Sequence, residues 1–197
     1  MEIHLLRHAV TQWNKLNKAK GHTNVPLSSK GRENVSELEY IEDELVNELD
    51  VYSSDLARCA ETAEIVGFDD FETDPRLRER SFGEWEGLKW DQIYDKNPDL
   101  PEYGSPEWWN LSPPNGESHR EMRERALEVF NEVIEEGEDT LIVSHSGPLR
   151  FITAEILEKD PIEAMDEIHF SNCGYLNIDY SVPRVSARNK VELPENY

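Results

Sequence analysis

The run Thr140-Leu-Ile-Val-Ser144 restricts the fold more than any other segment of the chain. It is short, apolar and rich in strand-forming residues, and it lies between Glu138-Asp139 and His145-Ser146-Gly147. That pattern reads as a buried strand. Glu2 to Leu6 is a second such run and ends in Arg7-His8. Val51-Tyr52-Ser53 is a third, Phe71 to Thr73 a fourth, and Glu167 to Phe170 with Tyr175 to Tyr180 a final pair.

Helical patterns separate these strands. Ser28 or Ser29 caps a helix running to about Leu49, with Val35, Leu38, Ile41, Leu45 and Leu49 on one face. Ser54 or Asp55 caps another from Leu56 to Val66, closed by Gly67. Gly116 and Glu117 open a long amphipathic helix through Ile134. Pro148 suits the first turn of a helix reaching about Leu157. Residues 75–87 read as irregular. Residues 88–115 hold five prolines and three of the five tryptophans, and read as a short helix near Trp90 to Tyr94 plus an ordered excursion. That excursion, with Trp108 and Trp109, either covers a pocket mouth or packs on the sheet. Residues 183–197 read as a tail with little structure of its own. Strands alternating with helices predict an α/β fold, a three-layer sandwich with a mostly parallel central sheet.

Acidic residues outnumber basic ones by 42 to 20, a net charge of -22. Such a surface repels nucleic acid and anionic membrane, so neither is expected as a partner. Two readings of the charge stand: adaptation to high salt, and an acidic protein of ordinary kind. No apolar run is long enough to span a bilayer and no leader pattern opens the sequence, so a cytoplasmic location is expected. Cys59 and Cys173 have no metal-ligand spacing, and a disulfide between them is not expected.

Chemistry gathers at strand ends. Leu6-Arg7-His8-Ala9-Val10-Thr11 and Val143-Ser144-His145-Ser146-Gly147 both follow strands, where open α/β sheets form their sites. Arg58 sits early in the helix after Val51-Ser53, at the same edge. Two arginines, two histidines and a helix N-terminus in so acidic a chain make an anion site. A lone histidine after a strand is more often structural, and the four groups together reverse that balance. His4, His22, His119 and His169 are read as structural.

At this point a family resemblance enters. Arg7-His8-Ala9-Val10-Thr11 with Asn14 resembles the Arg-His-Gly signature of the histidine phosphatase superfamily, the phosphoglycerate mutase-like family. Gly21, Pro26-Leu27-Ser28 and Gly31 are similar to its next segment. Ser53-Ser54-Asp55-Leu56-Ala57-Arg58 with Glu61-Thr62-Ala63 resembles the second-arginine motif. Leu77-Arg78-Glu79 with Phe82 to Gly87 resembles the proton-donor segment, and Ser144-His145-Ser146-Gly147 the second-histidine motif. The matches keep the family's order. Ala9 and Ser146 stand where glycine is usual, which is harmless if neither needs positive φ. Val10 stands where many members carry a polar residue.

The resemblance implies a single histidine phosphatase domain over residues 1–182, phosphoglycerate mutase-like in fold, with the insertion at about 88–115. It implies a phosphomonoester hydrolase that forms a phosphohistidine on His8. Arg7, Arg58 and His145 would hold the phosphoryl oxygens, with Asn14, Gly21 and Ser146 completing the substrate site. Glu79 would protonate the leaving group and then take a proton from water, with Glu84 as the alternative acid. The expected partner is a small-molecule phosphate ester. No cofactor and no metal are expected, because the arginines supply the charge a metal would bring. A cofactor-dependent phosphoglycerate mutase is the alternative. Known mutases carry an extra basic middle segment, whereas residues 98–115 here hold no Lys or Arg. Pro114 to Ser118 resembles the phosphatase branch. A phospho-ligand binding module without catalysis is the second alternative.

Overall fold

The computed structural model describes residues 1–38 and 48–194. Among them, β1 (Glu2–Arg7), β2 (Asp50–Ser53), β3 (Glu72–Thr73), β4 (Thr140–Ser144), β5 (His169–Asp179) and β6 (Arg184–Glu192) form one sheet in the order β3-β2-β4-β1-β5-β6. β3, β2, β4 and β1 run parallel, while β5 and β6 add antiparallel at the far side. Arg7 is registered with Ser144 and Ser53 with Val143, so three strands end together at their carboxyl edge.

Side-chain alternation along the strands builds the layers. Ile3, Leu5 and Ile142 face α6 (His119–Glu136) and α7 (Ser146–Ile156), meeting Leu127, Phe130, Val133, Leu149 and Ile152. Leu6, Leu141 and Val143 point the other way, toward Cys59 and Ala63 of α3 (Ala57–Val66). Val35 of α2 (Ser29–Ser36) closes that side with Ala9 and Leu27. This is the three-layer α/β sandwich expected.

Several helices begin and end where their sequence dictates. Ser28 caps α2 and Ser118 caps α6, the latter with a full capping box through Glu121. Gly67 ends α3 at φ 118°, a conformation that favours glycine. α6 therefore starts at His119 rather than at Gly116. The helix expected to reach Leu49 is seen as α2 to Ser36, and its continuation through Ile41 and Leu45 lies outside the described residues. α4 (Trp90–Lys96) and α5 (Pro106–Asn110) form the excursion, and α1 (Gln12–Lys15) and α8 (Glu163–Glu167) are short additions.

Two expectations are corrected. The expected tail contains β6, which pairs with β5 from His169↔Glu192 to Asp179↔Arg184. β6 is a largely exposed edge strand, so it lacks the apolar alternation that marks a buried one. The final pair of strands is one continuous β5, broken in register between Phe170 and Tyr175, where Cys173 takes φ 58°. Both cysteines are buried, and neither is in a disulfide. Among the described residues no helix is long and apolar enough to cross a membrane.

Candidate active site

His8 follows β1 and is 1% exposed. Its backbone N–H extends the sheet to Ser144 O, and its Nδ1 lies 2.6 Å from Ala9 O. A carbonyl only accepts, so Nδ1 holds the proton and Nε2 keeps its lone pair. Burial, then the charges of Lys20, Arg58 and Arg7, push the His8 pKa well below the usual imidazole value, with the Ala9 bond opposing. Asn172 on β5 donates to His8 O (3.0 Å) and Ala9 O (3.3 Å), and Thr62 on α3 accepts from Ala9 N (3.2 Å). The loop carrying His8 is thus tied on both sides.

His145 caps α7 and is fully buried, its ring centroid 5.1 Å from that of His8 at 63°. Arg58 Nε donates to its Nδ1 at 3.3 Å, which leaves the proton on Nε2, 2.9 Å from Ser54 Oγ. Burial and the neighbouring Arg58 lower its pKa as well. The Cys59 thiol lies 3.4 Å from Nε2, and burial pushes its pKa up to about 12.

Arg58 is held by three acceptors: His145, Thr23 O at 3.0 Å and Gly21 O at 2.7 Å. Gly21 has no room for a side chain, since a Cβ there would stand 2.2 Å from Arg80 O. Glu86 fixes the same segment by accepting from the backbone N–H groups of His22 (2.8 Å) and Thr23 (2.7 Å). Arg7 donates through Nη1 to Phe170 O, while its buried Nε has no acceptor among the described residues.

Glu79 follows a 3-10 turn at Pro75–Leu77. Its carboxylate accepts from Arg80 N at 2.9 Å and Gly147 N at 3.4 Å. Glu84 is exposed and bonds Asn115 on the surface at 2.9 Å, away from the imidazoles. Asn14 commits its carbonyl oxygen to the Thr11 cap of α1, which leaves its amide N–H groups as the free donor. Ser146 opens α7 and, with Glu79 and Gly147, borders a cavity of about 160 Å³. Ala9 and Ser146 both avoid positive φ. A larger cleft of about 600 Å³, lined by Tyr52, Phe68 and Glu136 among others, lies at the opposite end of the sheet from the histidines.

Sequence reasoning missed three groups. Lys20 is a half-buried lysine whose pKa falls to about 7, chiefly through desolvation and then through Arg7 and Arg58. The Glu79 carboxylate opposes that fall. Arg125 on α6 grips the carbonyls of Arg76 and Arg78 (2.6 Å each) and Glu79 (2.9 Å), while its own charge is met by Glu117. Asn172 is the third. Of the other histidines, His4 bonds Tyr175 OH at 2.6 Å in the core, and His22 lies 3.6 Å from Glu117. His119 bonds Arg80 at 2.7 Å and lines the cavity beside Glu79. Trp109 packs edge-on against Phe151, whereas Trp108 lines that cavity, so the excursion both packs and walls a pocket. Among the described residues no group of three His, Cys, Asp or Glu side chains could hold a metal ion.

Comparison with known proteins agrees with this geometry. The chain is 30% identical to a protein named probable phosphoglycerate mutase GpmB from Escherichia fergusonii, covering 91% of this chain and 85% of that one. It is 31% identical to phosphoglycerate mutase-like protein 4 of Arabidopsis thaliana, over 76% and 68%. Among solved structures it is similar to the alpha-ribazole phosphatase of Shigella flexneri, with TM-score 0.80, 27% identity and coverage of 91% and 90%. It is also similar to YhfR of Bacillus stearothermophilus, with TM-score 0.79, 28% identity and coverage of 94% and 95%. The family model described as histidine phosphatase superfamily (branch 1) matches residues 3–189, and the chain belongs to that superfamily.

Proposed function

We propose that the protein is a phosphomonoester hydrolase that works through a phosphohistidine on His8, with a small phosphorylated metabolite as substrate. One observation carries this reading. A neutral imidazole, its proton fixed on Nδ1 by Ala9 O, stands among Arg7, Arg58 and Lys20, and the Arg7 Nε–H has no acceptor among the described residues. A buried cationic donor without a partner is costly, and a phosphoryl oxygen satisfies it.

The Nε2 lone pair of His8 attacks phosphorus, an N–P bond forms and the ester P–O bond breaks. Arg7 and Arg58 take the charge of the equatorial oxygens, and the amide of Asn14 adds a neutral donor. His145 acts by orienting Arg58, its Nδ1 accepting from Arg58 Nε. Glu79 gives its proton to the leaving alkoxide. Water then attacks phospho-His8, Glu79 takes the proton, and the N–P bond breaks to release phosphate. A His8→Ala variant that hydrolyses p-nitrophenyl phosphate as fast as wild type ends this reading. Trapping an acid-labile, base-stable phosphoprotein supports it.

The names of the mutase relatives favour a second reading, in which the phosphoryl group returns to another hydroxyl before water intervenes. The missing basic residues in 98–115 favour the hydrolase. Assaying 3-phosphoglycerate with and without a bisphosphoglycerate primer separates them. Primer-dependent isomerisation marks a mutase and release of phosphate marks a hydrolase.

A further inference from the structure

β5 leaves its ladder beside the nucleophile. Between the pairs Phe170↔Val191 and Tyr175↔Asn189, residues 171–174 stand opposite Lys190 alone. Such a bulge bends its strand and re-aims a side chain, and bulges recur next to active sites. The shape of this one is demanding. Cys173 takes φ 58°, and a Cβ on Gly174 would stand 2.8 Å from Ser171 O and 2.9 Å from Lys190 O. On its other side β5 pairs with β1 as far as Leu6↔Tyr175, so the bulge lies against the loop that carries His8.

The bulge presents the amide of the half-buried Asn172 to that loop. Nδ2 donates to His8 O at 3.0 Å and to Ala9 O at 3.3 Å, and Cys173 N adds a longer bond to His8 O at 3.4 Å. Both acceptors are carbonyl oxygens, so the amide nitrogen rather than its oxygen faces them. The two carbonyls differ in what they control. His8 O belongs to a peptide that is also held at its other end, where Ala9 N donates to Thr62. Ala9 O is the acceptor of the His8 Nδ1–H at 2.6 Å, and the ring nitrogen that keeps the proton is set by the bond the ring makes. Asn172 is a second donor to that same oxygen and fixes it from outside the imidazole.

We propose that Asn172 is a positioning residue for phosphoryl transfer: by holding the Ala9 carbonyl, it keeps the His8 proton on Nδ1 and the Nε2 lone pair open to phosphorus. The proposal rests on the phosphohistidine reading above, and Asn172 acts through His8 rather than on the phosphate. Without the amide, the Ala9 peptide is free to turn its oxygen away. The Nε2–H form of His8 then gains population, and that form has no lone pair for the attack. Aspartate at this position keeps the size of the side chain but sets an acceptor-only group against two carbonyl oxygens, so it is worse than removal. A side chain that only fills space gives the reverse order.

The test uses wild type, Asn172→Ala and Asn172→Asp at about pH 7.5. It measures kcat for p-nitrophenyl phosphate, Ki for inorganic phosphate, and the nitrogen NMR signals of His8, assigned against His8→Gln. In Asn172→Ala kcat should fall about 10–100-fold, the cost of losing the group that orients a metal-bound histidine. In Asn172→Asp it should fall further. The Ki should stay nearly constant, because Arg7 and Arg58 hold the anion. Arg7 Nη1 rests on Phe170 O at the foot of the bulge, so a constant Ki also shows that this anchor has not moved. His8 should show the Nδ1–H form alone in wild type, and the Nε2–H form should appear in Asn172→Ala. A wild-type proton on Nε2 overturns the proposal. So does a fall in kcat with the Nδ1–H form intact, Asn172→Asp more active than Asn172→Ala, or a Ki that rises in step with the loss of kcat. If neither variant folds, wild type decides: the Asn172 amide protons should exchange slowly with solvent, and fast exchange overturns the proposal. An active wild type with an unchanged Asn172→Ala variant removes this role and leaves the hydrolase standing. A wild type that neither turns over ester nor forms a phosphoprotein removes both.

Discussion

The carboxylate of Glu79 lies against the backbone of Gly147, Oε2 to N at 3.4 Å, and a methyl group on Gly147 would stand 2.4 Å from Oε1. The same methyl would meet Met122 Cε at 2.7 Å. Glu79→Gln should lower kcat by about 10²–10⁴-fold for an alkyl phosphate, whose leaving group needs a proton. p-Nitrophenyl phosphate, with its stable phenolate, should lose much less. Gly147→Ala should show the same leaving-group pattern in weaker form. A uniform loss across both esters in steady-state assays would mean that Glu79 is not the proton donor.

Arg125 should act as a positioning residue through the same carboxylate. It holds the main chain at Arg76, Arg78 and Glu79 and is itself only 18% exposed. Arg125→Gln removes charge-assisted hydrogen bonds worth about 1.5–3 kcal/mol each, so the thermal midpoint should drop. Alkyl phosphates should again lose more rate than p-nitrophenyl phosphate. In the double variant with Glu79→Gln, the rate losses should not add.

Lys20 predicts a pH dependence of phosphate binding. Its folded pKa of about 7 means that half of the ammonium is lost near neutrality in the free protein. An incoming phosphate dianion favours the charged amine, so binding takes up a proton. The Ki of inorganic phosphate should therefore rise as pH climbs above about 7. Lys20→Met should weaken binding below that pH and flatten the rise. Identical Ki profiles for both proteins would remove Lys20 from the site.

The buried imidazoles set a second pH dependence, in stability. His8, His145 and His119 have pKa values well below 6.5, and His4 falls to about 4, chiefly through burial. Below about pH 6.5 the unfolded chain takes up protons that the folded protein refuses. Stability is thus fully present above that pH and lost as pH falls toward the folded values. Thermal midpoints measured from about pH 7.5 to pH 5 should decline, and a flat profile contradicts the neutral, buried state of these rings.

The net charge of -22 predicts salt dependence. Surface carboxylates repel one another, and molar KCl shortens the screening length to about 3 Å. The thermal midpoint should rise between dilute buffer and molar KCl. No change would leave the acidic surface without an adaptive reading.

The strands at Ile3 and Leu141, and the loops they end in, were legible because burial and chemistry sit next to each other in sequence. Thr140–Ser144 is apolar because it is covered on both faces, and the histidine follows because the sheet edge is where sites form. β6 was illegible for the opposite reason. Arg184–Glu192 is exposed along most of its length, and its strand conformation comes from pairing with β5, a contact its own residues do not advertise. Nothing in the sequence marks Lys20, and only its place near the charges of Arg7 and Arg58 in the fold distinguishes it. Arg125 sits on α6 and serves a loop 46 residues away, so no local spacing reveals it. Trp108 could be read as covering a pocket or as packing, and the choice depends on where α5 rests.

The excursion of residues 88–115 is tied into the domain at many points, among them Ala19 N on Leu88 O, Trp90 N on Asn17 O, Glu84 N on Pro114 O, Arg80 on Leu111 O and Trp109 on Phe151. Residues Lys18 and Ala19 pair with Lys89 and Leu88 at its start, just before the Gly21–Thr23 carbonyls that hold Arg58. The aromatic stretch that walls the cavity and the loop that steadies the guanidinium are therefore mechanically joined. A graft that replaced this stretch would have to reproduce the pairing at Leu88 and Lys89, or the anchor of Arg58 would shift with it.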